Sequence, residues 1–142
     1  MNAQINQMSD LELNRALHEA RGLCWHECKK TSSYLKRCSK CLQLLGNSYQ
    51  TGFDRNPNYC RSLDTVAKVE KEVIERVGFV EYGKCFWEVC MTGLPIEVYE
   101  STKDYLFQTG MFATATARQR AEACLLISRR AIDLYEEEAI RQ

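Results

Sequence analysis

The stretch VGFVEYGKCFWEVCM, residues 77–91, decides between a mixed α+β molecule and an all-helical one. It is rich in β-branched and aromatic residues, and Gly83-Lys84 divides it. Read as strands, Phe79–Tyr82 and Cys85–Met91 form a hairpin, with Gly83 opening the tight loop as a type II′ turn requires. Trp87 and Phe86 then alternate faces, one toward the core and the other toward solvent. The segment MFATA, 111–115, reads as a third short strand.

Helical patterns surround this stretch. Over residues 9–21, Leu13, Ala16, Leu17 and Ala20 recur at three- and four-residue steps and make one apolar stripe. Ser9 with Glu12 forms a capping box at its start, and Gly22 is a stop. A second helix starts near Ser62 to Asp64, with Val66, Val69, Val73, Ile74 and Val77 as its core face. Pro95 opens a short helix. Thr116 with Gln119 is a second capping box, leading into the longest helix, about 117–138, with Ala121, Cys124, Leu125, Ile127, Ala131, Ile132 and Leu134 inward.

The chain of 142 residues suits one domain with a small appended element. Lys plus Arg equals Asp plus Glu at 19 each, which argues against a binder that relies on a basic footprint for nucleic acid. The first residues show no secretory leader pattern, and no apolar run approaches a membrane span of ~20 residues. The expected location is therefore the cytoplasm. There, clustered cysteines read as metal ligands before disulfides.

Such a cluster lies within GLCWHECKKTSSYLKRCSKCLQLLG, residues 22–46. Cys38 and Cys41 have the C-x-x-C spacing of a zinc knuckle, whose tight turn lets two thiolates reach one ion. Cys24, His26 and Cys28 compete for the other two places of a structural tetrahedral zinc site. Along an extended segment, positions i and i+2 share a face, which suits Cys24 with His26; in a helical turn, i and i+4 do, which suits Cys24 with Cys28. The residue pattern leaves both open. Cys60, Cys85, Cys90 and Cys124 match no metal spacing and read as reduced, structural residues.

CWHE, CSKC and NPNYC, followed by a helix, the aromatic FWEV and then FATATARQRAEACLL, resemble the phage ABA-sandwich family of small tailed-phage proteins. The resemblance covers nearly the whole chain. It implies an α+β fold, a small three-layer α/β/α sandwich around a short antiparallel sheet, with an N-terminal helix (1–21), a zinc-ribbon-like element (22–50) and a sandwich domain (51–142). It also implies that His26 is a zinc ligand, giving Cys24, His26, Cys38 and Cys41 with Cys28 as the spare. The chain departs from the family where Leu42 follows CSKC in place of glycine, and where the link over 95–111 is longer. The family implies no reaction.

Elsewhere no Walker motif, G-x-S-x-G or G-x-G-x-x-G is present. His18 reads as a surface or half-buried residue. Thr116, Arg118 and Arg120 gather at a helix start, where free N–H groups and the positive dipole end suit an anion. The expectation is a non-catalytic phage accessory protein that binds a small anionic or nucleotide ligand, or a host factor, as in counter-defence by sequestration. The alternative is a zinc-ribbon nucleic-acid or transcription-associated module, favoured by Lys29, Lys30, Lys36, Arg37 and Lys40 within the cysteine segment.

Overall fold

The computed structural model describes residues 2–27, 35–41, 44–47, 56–92, 110 and 112–141. Cys28 and the expected helix at Pro95 lie outside the described residues. The elements are α1 (Asn2–Gln7), α2 (Asp10–Ala20), β1 (Leu35–Arg37), β2 (Leu44–Asn47), α3 (Leu63–Val77), α4 (Phe79–Met91) and α5 (Ala117–Arg141).

The three-layer sandwich is not what this chain builds, since the described residues are mostly helical. Strand pairing among them is confined to the cysteine element, where β1 and β2 form an antiparallel ribbon with Leu35 opposite Asn47 and a register shift between Lys36 and Arg37. Residues 79–91, expected as a hairpin, are one helix. The reason lies in which period the burial follows. Tyr82, Cys85, Phe86 and Val89 are buried at steps of three, one and three, so they form one helical face. Phe79 and Val80, consecutive in the supposed first strand, are both exposed. Gly83 inside the helix costs about 1 kcal/mol relative to alanine, which the burial of Tyr82 and Phe86 outweighs. Residues 112–114, expected as strand, are also helical.

Gly78 separates α3 from α4. Its backbone lies at φ 93 and ψ 153, a region open essentially to glycine alone. The amide still donates to the Ile74 carbonyl and so caps α3 while the chain turns.

Three further helix ends follow their sequence signals. The Ser9 hydroxyl accepts from the Glu12 amide, and the Glu12 carboxylate accepts from the Ser9 amide. Thr116 and Gln119 exchange the same pair of bonds at the start of α5. At the end of α2, Gly22 (φ 75) donates to Glu19 and Leu23 to His18, which is a Schellman closure.

Helix α5 is the spine. It packs against α1, α2, α3 and α4, and α3 also packs on α4. Leu13 and Leu17 of α2, Val66, Val69 and Val73 of α3, and Ala121, Leu125 and Leu126 of α5 share one buried cluster. Helices α1 and α2 and the helices beyond 56 therefore have a common core. Ile132, expected to turn inward, is exposed, as are Asp133 and residues 136–141, while the side chain of Leu134 lies outside the described ones.

Candidate metal centre

The cysteine element begins where the Schellman turn releases the chain from α2. Residues 23–27 have no regular secondary structure. Trp25 is buried, and its ring lies edge-on to His18 at 5.9 Å between centroids. Cys24 and His26, either side of it, reach Cys38 and Cys41. This is the alternation of an extended segment, with the tryptophan toward the helices and the two ligands away from them.

The second half is the turn between β1 and β2. The Lys40 amide points at Cys38 Sγ at 3.4 Å, and the Ser39 amide donates to the Glu27 carbonyl at 2.9 Å. The latter bond ties the turn to the first segment.

The ligand atoms of Cys24, His26, Cys38 and Cys41 lie within 4.8 Å of one another, and the cluster can hold a metal ion. Cys24 Sγ is 3.8 Å from Cys38 Sγ, and Cys41 Sγ is 3.4 Å from His26 Nδ1. A tetrahedron with metal–sulfur bonds of about 2.3 Å and metal–nitrogen bonds of about 2.05 Å has S···S edges near 3.8 Å and S···N edges near 3.6 Å. The two measured edges fit that size. Burial raises the Cys24 thiol above its ordinary value. The Cys41 backbone N–H, with help from His26 and the Lys40 amide, holds the Cys38 thiol well below it. Cys38 is thus held toward the thiolate that a metal needs.

Contacts invisible in the local sequence hold the element on the helical body. Asn56 Oδ1 accepts from the His26 amide at 2.8 Å, and Asn56 Nδ2 donates to the His26 carbonyl at 2.8 Å. His18 Nδ1 is 2.7 Å from the Tyr59 hydroxyl, which also accepts from Arg21 Nη1 at 2.8 Å, and Arg21 pairs with Glu72. Burial, with the nearby Arg21 charge, keeps the pKa of His18 below its ordinary value. On the outer side, Arg15 and Lys40 each pair with both Glu19 and Glu27.

The other expected site residues stand at the start of α5, but their donors are turned inward. Arg118 pairs with Asp10 and Glu122 and donates to the Met8 carbonyl. Arg120 pairs with Glu70 through both carboxylate oxygens and donates to the Phe112 carbonyl. The Thr116 hydroxyl serves the capping box. Tyr82 donates to the same Glu70 carboxylate, so Glu70, Tyr82 and Arg120 form a part-buried polar knot between α3, α4 and α5. Sequence reading missed this knot because its members are far apart in the chain.

Among the described residues, Cys60, Cys85, Cys90 and Cys124 are free thiols, and burial raises the pKa of each. No described helix is long and apolar enough to cross a membrane. In comparisons with family models, with curated proteins and with solved structures, the chain matches none.

Proposed function

We propose that this is a non-catalytic binding protein whose cysteine element is stapled by one structural zinc ion. The observation that carries the reading is the ligand set, with three cysteine sulfurs and one imidazole nitrogen within 4.8 Å of one another and two of the edges at tetrahedral length. Zinc prefers this mixture, and four protein ligands leave no position for a reacting water. The inward ion pairs of Arg118 and Arg120 favour the same conclusion, because these charged groups are used to hold helices together. They also favour a protein partner over a small anion. Phe79 and Val80, 64% and 68% exposed, offer adjacent apolar contacts on α4 instead. The CWH, CSKC and NPNYC motifs support an origin among small tailed-phage proteins, with a host factor as the partner class.

X-ray absorption at the zinc edge of the purified protein tests the metal assignment. Three sulfurs at about 2.3 Å and one nitrogen at about 2.0 Å are expected, with zinc near one per chain. An oxygen donor in the shell would open a coordination position and favour a hydrolase. Zinc far below one per chain would sink the reading. Nucleotides released on denaturing the purified protein would restore the small-anion alternative.

A further inference from the structure

The metal centre borrows one part from outside the cysteine segment. Asn56 meets both polar groups of the His26 residue, accepting from its N–H and donating to its C=O, each at 2.8 Å. A side-chain amide that does both takes the place beside His26 that a residue of a neighbouring strand would take. We infer that Asn56 is the positioning residue of the metal centre, fixing the His26 peptide so that the imidazole enters the ligand set. This rests on the reading that the cluster binds a metal.

Three observations carry the assignment. The clamp acts directly on a ligand residue, and of the four ligands only His26 is held by it. The loop that presents Asn56 is itself fastened. Pro57 follows it, which disfavours a helical backbone at Asn56. Asn58 Oδ1 accepts from Asn14 Nδ2 at 3.1 Å, and Tyr59 is held by His18 and Arg21. Position is thus passed from α2 through the NPNY loop to His26. Finally, the clamp sets the alternation of the segment. With the His26 N–H and C=O facing Asn56, Trp25 packs on the helical body while Cys24 and His26 face the turn between β1 and β2.

Partners that orient a metal ligand are typically worth 10–100-fold in metal affinity. The experiment uses the full chain, with Zn²⁺ affinity measured against a competing chelator and Co²⁺ as the spectroscopic probe. Wild type is expected to give the absorption of a tetrahedral site with three sulfurs and one nitrogen. Asn56→Ala is expected to bind Zn²⁺ about 10–100-fold more weakly, with the Co²⁺ bands displaced as the imidazole leaves the set. Asn56→Asp is close to isosteric and keeps only the acceptor, so it guards against a variant that fails to fold; an intermediate loss and a partial band shift are expected. Helix content by circular dichroism is followed in each. Wild-type affinity and spectrum in both variants overturn the inference. Weakened binding with an unaltered spectrum overturns it too, because that is what a general stabiliser would do. If wild type itself binds neither metal, the centre and the inference fall together.

Discussion

Replacing Arg120 with methionine keeps most of the side-chain stem but removes the guanidinium that neutralises Glu70. The two side chains are 14% and 11% exposed, and Arg120 Nη1 lies 2.9 Å and 3.0 Å from the two carboxylate oxygens. After the change, Glu70 keeps only the Tyr82 hydroxyl among the donors found here, and the Phe112 carbonyl loses the Arg120 donor. The contact of the guanidinium with the Phe112 ring, 4.9 Å from the centroid, is lost as well. Breaking a largely buried pair by removing one partner costs about 3–5 kcal/mol, mostly from the charge left behind. For a chain of this size that corresponds to roughly 10–17 °C in the thermal midpoint. The assay is thermal unfolding at neutral pH of wild type, Arg120→Met, Glu70→Gln and the double variant. Discharging the carboxylate should recover about 2 kcal/mol of the loss, visible as coupling in the cycle. A single-variant shift below about 2 °C, or purely additive effects, would refute the account of this knot as a stabilising ion pair.

Three further outcomes follow from the structure. Gly78→Ala should lower stability by about 1–3 kcal/mol through backbone strain alone, since a Cβ there would meet nothing within 4 Å; an unchanged denaturation midpoint would contradict this. Cys38→Ser should lose the metal and loosen residues 22–46, whereas Cys28→Ser should do neither, as metal content and hydrogen exchange can report. The pKa of His18, followed by NMR, should lie below its ordinary value. A group with a depressed folded pKa binds protons more readily when unfolded, so stability falls as pH drops through about 6.5 toward the folded value. His18→Gln should flatten that part of the profile, and a titration above 6.5 would contradict the buried setting.

Signals that act within a few residues were legible. The capping boxes at Ser9 and Thr116, the stop at Gly22, the valine face of α3 and the ligand spacing around Cys24 and Cys38 all depend on such short-range geometry. Residues 77–91 were misread because two rules conflict there. Aromatic and β-branched content with Gly83-Lys84 points to strands, while the three- and four-residue spacing of Tyr82, Cys85, Phe86 and Val89 points to a helix. Tertiary burial decided for the spacing. Arg118 and Arg120 were legible as a cationic helix start but not as internal ties, because Asp10 lies 108 residues from Arg118 and Glu70 lies 50 from Arg120. Asn56 was visible only as the first residue of NPNYC, since nothing local marks it as the neighbour of His26, 30 residues earlier.

The four residues of the proposed metal centre differ in how far they reach toward water. Cys38 is buried, Cys24 and His26 are half-covered, and Cys41 is exposed. Metal exchange usually proceeds by stepwise displacement, so an incoming chelator would begin at Cys41 and work inward. Lys40, paired with Glu19 and Glu27, stands beside that entrance. If an ion is bound, changes around Cys41 would act first on how quickly it exchanges, and changes on the buried side on how tightly it is held.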